Sequence, residues 1–380
     1  MAWLSPLPPQ RSGIANYSYW LVRALNSHFD IDLYYDNQPP VAELKNEFDV
    51  YPISGFAGRH KSYDEVIYHL GNNSSFHKNI YELSWNFPGT VVLHDYNLSA
   101  FMRDAFFREN NELYRQALPN GHGARLHALI QRVIPDAAKS PMSHAVVRRS
   151  KKVIVHHRWV KEQFAQSDHI EVIPMFAKLN YRPTQADINE FKKKFLIKNS
   201  QFVITCLGFV NSNKLPKLQI DVVKKLIDDG YPVKMVFAGE PSPEVKTLES
   251  DIRSGKYSHD IIFTGYQNEM DYFSAIFVSD IIINLRNPSM GEASLTLMQA
   301  LSAAKPTIVS DINQYREFPD KVCWKLTHDE NQEEVLYAYI STLLADRNLR
   351  GAISANAAEY VNSVLGWENI IAQWMRVVLK

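Results

Sequence analysis

The chain has 380 residues, 46% of them hydrophobic and 12% aromatic, which favours two domains and supplies apolar residues for two packed cores. Its 41 lysines and arginines balance 41 aspartates and glutamates, so global charge selects neither nucleic acid nor a membrane surface, and only a local patch could. No apolar run reaches the roughly 18 residues of a membrane span, and prolines and polar residues near the start argue against a signal peptide. The two cysteines, Cys206 and Cys323, sit inside apolar strand-like runs; buried free thiols in a reducing compartment are expected, without a disulfide or metal-ligand spacing.

Taken in order, Ala2-Trp3-Leu4 reads as a first strand and Pro6 to Gly13 as a turn. A helical pattern follows with Ile14, Tyr17, Leu21 and Leu25 on one face. No G-x-G-x-x-G accompanies it, so this opening alone names no ligand. Ile31 to Tyr35 is a second strand, and Glu65 to Leu70 a third, ending in Gly71-Asn72-Asn73 with His77 at the start of the next helix. Thr90 to Leu93 is a fourth, ending in His94-Asp95. Val153 to Val155 is a fifth, ending in His156-His157, and Ile170 to Ile173 a sixth. Strands alternating with helices predict a parallel sheet covered on both faces. Ligands of such sheets bind outside the carboxyl ends of the strands, which is where Gly13, Asn72, His94 and Asp95 fall.

Between Lys178 and Ser200 the pattern lapses into a linker and a lysine-rich helix around Lys192 to Lys194. A second series then begins, with strands at Phe202–Leu207, Val233–Ala238, Ile261–Thr264, Asp280–Leu285, Thr307–Ser310 and Val322–Leu326. Its helices are expected to start near Lys214, Pro243, Glu269, Ser294 and Glu330. The tail from Gly351 to Lys380 reads as helical throughout, with Trp367, Ile370, Trp374 and Val377 as an apolar stripe for packing across domains. The expected architecture is α/β: two Rossmann-like, doubly wound domains facing each other across a cleft. They span residues 1–178 and 201–363, with a linker and first helix at 179–200 and a C-terminal crossing helix at 364–380.

The stretch from Asp280 to Lys305 concentrates the chemistry. An apolar strand, Ile281 to Leu285, ends in a polar turn with Arg286, Asn287, Pro288 and Gly291. A helix follows, with Leu295, Met298, Leu301 and Ala304 on one face, Ser294 as N-cap and Pro306 as stop. Unpaired N–H groups and the helix dipole make such a junction an anion site, flanked here by Arg286 and Glu292. One local charge feature is separate. From Leu113 to Lys161 lie Arg115, Arg125, Arg132, Lys139, Arg148, Arg149, Lys151, Lys152, Arg158 and Lys161 against a single acid, Asp136. Either a solvated helical face or attraction to anionic lipid or a lipid diphosphate accounts for it. No aromatic stacking pattern accompanies the charges, so nucleic acid is not expected.

Several pieces, weak singly, are specific in their order: Ser5 to Tyr17, Gly71-Asn72-Asn73 with His77, Leu93-His94-Asp95, Val155-His156-His157, Val172-Ile173-Pro174, Gly208 with Lys214, and Leu285 to Ser294. Over nearly its whole length the chain resembles GT-B fold glycosyltransferases of glycosyltransferase family 4, the retaining, nucleotide-sugar-dependent group 1 transferases of bacterial polysaccharide gene sets. The resemblance implies a retaining hexosyltransferase with a donor-binding C-terminal domain and an acceptor-binding N-terminal domain. Such an enzyme would extend a lipid-linked glycan in O-antigen, lipopolysaccharide or other surface polysaccharide synthesis, in the cytoplasm or peripheral at the inner face of the plasma membrane. Its diphosphate donor is a substrate, and neither cofactor nor metal is implied.

By the same resemblance His94 would contact the donor sugar with Asp95 orienting it, and Glu292 would bind sugar hydroxyls or stabilise oxocarbenium-like charge. Lys214, Arg286 and the helix start at Ser294 would meet the diphosphate, with Gly13 allowing close backbone approach and Gly291 and Ala293 also on the donor side. Asn16, Tyr17, Asn72, His77 and His156 would lie on the acceptor side. Two positions depart from the family pattern: Phe209 stands where an arginine is usual, and Gln299 where a second glutamate is usual, an amide still able to hold ribose hydroxyls. They suggest the alternative of a catalytically silent module that binds sugar nucleotide or glycan within a larger synthase. A dinucleotide oxidoreductase is disfavoured for want of the glycine fingerprint.

Overall fold

The computed structural model describes residues 1–107, 112–118 and 141–379. The chain divides into two compact units: Met1–Met175 with Met290–Ala293 and Glu368–Lys380, and Phe176–Ser289 with Ser294–Trp367. Arg125, Arg132, Asp136 and Lys139 of the basic stretch lie outside the described residues.

The first unit is built on seven parallel strands: β1 (Ala2–Leu4), β2 (Asp32–Tyr35), β3 (Asp49–Pro52), β4 (Val66–Leu70), β5 (Thr90–Leu93), β6 (Lys152–Val155) and β7 (Ile170–Val172). Their order is β3-β2-β1-β4-β5-β6-β7. Six were expected. β3 was not, because Asp-Val-Tyr-Pro has no apolar run to read; it is a partly exposed edge strand, the position where a proline is tolerated. The helix Gly13–Leu25 starts at Ser12, whose Oγ accepts the Ile14 N–H, and it buries Tyr17, Leu21 and Leu25 one turn apart. From Glu368 onward the last helix, Trp367–Val378, belongs to this unit. Ile370 and Trp374 are fully buried, and the Lys152 ammonium donates to the Val377 carbonyl at 2.5 Å.

The second unit carries β8 (Phe202–Leu207), β9 (Val233–Ala238), β10 (Ile261–Phe263), β11 (Ile281–Asn284), β12 (Thr307–Ser310) and β13 (Cys323–Leu326), all parallel, in the order β10-β9-β8-β11-β12-β13. The helix Gln185–Lys194 opens it with a reciprocal Thr184–Asp187 capping box. The helix expected near Lys214 starts at Pro216, the position that suits proline: Lys214 ends a single 3-10 turn, Ser212–Lys214, after which Leu215 takes a left-handed φ of 55°. One expectation needs correction here. The tail is not one helix: Arg347–Ser363 ends at Val364, and Gly366 lies where a Cβ would come 2.9 Å from the Asn362 carbonyl.

In each sheet the strand order reverses once, between β1 and β4 and between β8 and β11. These are topological switch points, where chains leave in opposite directions and open a crevice for ligand. Gly13, Asn72, Gly208 and Arg286 follow those four strands in turn. Cys206 and Cys323 are free and buried, as expected. Among the described residues no helix is long and apolar enough to cross a membrane.

Candidate functional site

In the first unit, strand register gathers three histidines. Leu93 pairs with Val155, which sets His94 beside His156 one residue beyond β5 and β6. Leu70 pairs with Leu93, so His69 sits one strand over and two residues back, on the same face as His94. His69 Nδ1 lies 2.9 Å from His94 Nε2, and His94 Nδ1 lies 3.2 Å from His156 Nε2. At the far end His156 Nδ1 is 2.9 Å from the Ile173 carbonyl. Burial is the main cause pushing all three imidazoles down, His156 to about 4 and His69 and His94 well below their usual range, with repulsion among the rings adding for the latter two. Both ring nitrogens of His94 are thus engaged by other histidines. That corrects the expectation that its ring contacts the donor sugar.

What His94 presents is its main chain and its neighbour. The Ala293 N–H donates to the His94 carbonyl at 3.1 Å, and the Asn97 N–H donates to the Met290 carbonyl at 2.9 Å. These two bonds hold residues 94–97 against residues 290–293, with Gly291 against Tyr96 and the Glu292 charge within reach of Asp95. Gly291 has a φ of +70°, and a Cβ there would lie 2.5 Å from the Tyr96 Cβ, so a side chain does not fit here without displacement. Glu292 Oε2 accepts the Met290 N–H at 2.8 Å. Asp95 Oδ2 accepts the Asn72 N–H at 2.7 Å. Burial pushes the Asp95 carboxyl up to about 7; the Asn72 bond opposes this and the Glu292 charge reinforces it. Near neutral pH the Asp95 carboxyl is therefore partly protonated, and it can donate to a polyol as well as accept from one.

The acceptor-side candidates separate. Asn16 and Gly13 are exposed at the start of their helix. Tyr17 is fully buried, its ring edge-on to His94 and His156 at 5.1 and 5.3 Å, so it is core rather than ligand contact. His77 is buried too, with Nδ1 3.0 Å from the His69 carbonyl and its imidazole lowered to about 4 by burial. Its Nε2 and Asp95 Oδ2 converge on Gly71, at 2.9 and 3.1 Å from where a Cβ would stand. Asn72 does stay in the site, through its N–H to Asp95 and its Oδ1, which accepts the Phe101 N–H at 2.8 Å. His157 is buried and lowered to about 3, and serves as N-cap residue of the helix Arg158–Glu162.

In the second unit the donor-side residues meet at one corner. Ser294 caps the helix Leu295–Ser302, its Oγ accepting the Leu297 N–H at 3.3 Å. Gly208, at φ +74°, has Thr296 Cγ2 and Lys214 Nζ within 3.0 and 3.4 Å of its Cβ position. The Lys214 ammonium, 4% exposed, is thereby set at the first turn of that helix, and it donates to the Leu207 carbonyl. Arg286 donates its N–H to Ser310 Oγ at 2.7 Å and its Nη1 to the Leu285 carbonyl at 2.8 Å. Asn284 Oδ1 accepts from Thr296 Oγ1 at 2.9 Å, while its buried Nδ2 has no partner. Gln299 turns inward: it is 5% exposed and its Oε1 accepts the Tyr272 hydroxyl at 2.8 Å. The ribose contact expected of that oxygen is replaced by an internal one. Phe209, by contrast, is 55% exposed.

His69, Asn284 and Trp374 were missed as site neighbours. A signal existed for the first two, each a polar side chain inside a strand buried on both faces. Trp374 carried none beyond its place in an apolar stripe. Among the described residues no group of three or more histidines, cysteines and carboxylates is arranged to hold a metal ion.

Residues 187–360 match the family of glycosyl transferases group 1. No protein of curated function matches the chain in sequence. Among solved structures the chain is similar to HepE of Anabaena, determined in complex with UDP and glucose, at 13% identity over 99% of this chain and 98% of that one, with a TM-score of 0.69. It is similar to sucrose-phosphate synthase of Thermosynechococcus elongatus at 14% identity over 99% and 97%, with a TM-score of 0.71. WaaG, a glycosyltransferase involved in lipopolysaccharide biosynthesis, matches at 14% identity over 95% of both chains, with a TM-score of 0.61. Identities this low speak for the fold, which is the GT-B arrangement of α/β units.

Proposed function

We propose that this chain, which has the GT-B fold and a group 1 glycosyl transferase segment at residues 187–360, moves a hexose from a nucleoside-diphosphate sugar to a hydroxyl of a glycan, with retention at the anomeric carbon. The observation that carries the reading is the corner of the second unit, inside the matched segment, where Lys214, Gly208 and the first turn of the helix Leu295–Ser302 converge. A lysine ammonium, a left-handed glycine and unpaired helix N–H groups are what a diphosphate needs to be bound and to leave. HepE was determined with UDP and with UDP-glucose, which makes a uridine donor the first to try.

In this reading the second unit holds the diphosphate, with Lys214 and Arg286 neutralising the charge that grows as the glycosidic bond breaks. No side chain need act as a nucleophile. The acceptor hydroxyl enters on the face the diphosphate leaves, and the leaving phosphate takes its proton, so that positioning and charge stabilisation supply the catalysis. In the first unit, Asp95 and Glu292 meet sugar hydroxyls, one donating and the other accepting. The acceptor we assign is lipid-linked, in surface polysaccharide synthesis at the cytoplasmic face of a membrane. That assignment rests on the fold shared with WaaG and on the described basic residues, of which Arg148, Lys151 and Lys161 belong to the stretch noted in the sequence.

The test is a screen of the purified full chain against UDP-, GDP- and ADP-hexoses, with and without a polyprenyl-diphosphate glycan, reading nucleotide release and the anomeric coupling constant of the product. Turnover with one donor, with retention and lost in Lys214→Ala, is expected. Donor binding without turnover, for every donor, would instead select a silent binding module, and an inverted product would remove the retaining mechanism.

A further inference from the structure

We infer that His69, His94 and His156 form a one-way hydrogen-bonded relay of three neutral rings, each protonated on Nδ1, and that His69 and His156 are positioning residues for Asp95. The inference rests on the reading of Asp95 and Glu292 as sugar-binding carboxyls.

The direction follows from its fixed end. A carbonyl can only accept, so His156 must donate to Ile173 from Nδ1, 2.9 Å away. In a neutral ring its Nε2 is then an acceptor, and His94 must donate to it from Nδ1. His94 Nε2 is an acceptor in turn, and His69 Nδ1 must supply the proton. Each step forces the next, and the sequence ends at His69 Nε2, a buried acceptor without a partner. Beside it is the Trp3 indole, its ring 4.6 Å from that of His69 and its N–H likewise buried without a partner. The donor and acceptor left over at this end are complementary in kind.

Neutrality is enforced by what surrounds the rings. The titratable groups around them include Tyr17 from the helix Gly13–Leu25, His77 from the helix Ser74–Asn86 and His157, all buried, with Asp95 next to His94 in the chain. Among the described residues no carboxylate is bonded to any ring nitrogen of the three, whereas an imidazolium in such a place would need one. A relay of fixed polarity has one arrangement only. His94 cannot flip its ring without breaking two bonds, and its carbonyl and N–H are tied to Ala293 and Leu70. Asp95 follows directly in the chain, and so inherits that rigidity opposite Glu292.

The experiment is a long-range nitrogen–proton correlation spectrum of the full chain labelled with 15N-histidine, at neutral pH, with resonances assigned through His69→Asn and His156→Gln. Three rings with a protonated Nδ1 and a bare Nε2 are expected. An Nε2–H tautomer or an imidazolium at any of the three overturns the relay, whatever the enzyme turns over. A companion readout tests the positioning role. His156→Leu removes the acceptor for His94 and should lower kcat by about 10- to 100-fold, with the donor KM changed far less. His156→Gln, whose Oε1 can stand in for Nε2, should recover most of that loss. Equal losses in the two variants would overturn the positioning role. If His156→Leu does not fold, the tautomers of the unmodified chain decide alone. Absence of turnover in the unmodified chain would count against the glycosyltransferase reading and leave the tautomers unaffected.

Discussion

Asp95 lies within electrostatic reach of Glu292, although 197 positions separate them in sequence, because the His94 carbonyl accepts from Ala293 and Asn97 donates to the Met290 carbonyl. Those two bonds fix which two carboxyls meet. Burial and the Glu292 charge then decide that Asp95 is the one holding a proton near neutrality.

Asp95 should therefore govern a pH limb. Its pKa rises from 3.8 to about 7 on folding, so the folded state is favoured while the carboxyl stays protonated. That contribution is full below about 4 and is lost as pH rises through 7, at about 1.4 kcal/mol per pH unit within the window. Asp95→Asn keeps an acceptor for the Asn72 N–H and cannot ionise. Its urea midpoint should match that of the unmodified protein near pH 4 and exceed it near pH 8. Glu292→Gln should shift the limb to lower pH, since the Glu292 charge is one of the causes raising Asp95. A limb unmoved by Asp95→Asn would assign the titration elsewhere.

How much of this was legible in the sequence depends on the range over which each signal acts. Alternating apolar runs and polar strand ends marked twelve of the thirteen strands and the carboxyl-edge positions His94 and Asp95, because burial on both faces and chain exit are local properties. β3 escaped because an edge strand need not be apolar. The role of the His94 ring was misread because it depends on His69 and His156 in neighbouring strands, and register is a long-range property. Gln299 was misread likewise: nothing in its own segment announces Tyr272, 27 residues earlier. Glu292 could be singled out as a carboxylate beside a glycine turn, but its nearness to Asp95 depends on the bonds of Ala293 to His94 and of Asn97 to Met290, which no local signal announces.

Gly291→Ala should separate residues 94–97 from residues 290–293. The added Cβ would meet the Tyr96 Cβ at 2.5 Å and sit at a φ of +70°, which L-residues adopt at a cost of roughly 1–2 kcal/mol. Steric displacement adds to this, so a loss of roughly 2 kcal/mol or more is expected. Activity should fall further than stability alone explains, because Glu292 moves with the turn. Amide exchange at Asn97 and Ala293, slow in the unmodified protein, should become fast in the variant. Protection retained at both would show that the turn tolerates a side chain.

Lys214→Met tests the second unit without opening a large cavity. The methionine fills the stem of the lysine but brings neither the charge nor the bond to the Leu207 carbonyl. If the ammonium meets the donor diphosphate, kcat/KM for the donor should drop by about 100-fold or more. Arginine should not fully rescue it, since a larger, planar guanidinium replaces a compact ammonium at a position only 4% exposed. UDP titration by calorimetry gives the same answer without turnover: affinity should fall for UDP and hardly change for uridine. An equal loss for uridine would point to a folding defect.

The C-terminal helix supplies the last test. Trp374 is fully buried, its ring 5.7 Å from Trp3, and Trp3 in turn lies against His69. Truncation in Trp374→Ala leaves a cavity beside the relay at a cost of about 3–5 kcal/mol. Ile370, Val377 and the bond from Lys152 to the Val377 carbonyl remain to hold the helix. The helix should therefore stay docked in the weakened protein, and proteolysis should spare residues 367–378 under conditions where the variant is folded. Trp374→Phe retains most of the apolar area and should recover more than half of the lost stability. If the helix is instead cleaved in Trp374→Ala while the rest of the first unit stays folded, Trp374 is its main anchor and the Lys152 bond contributes little.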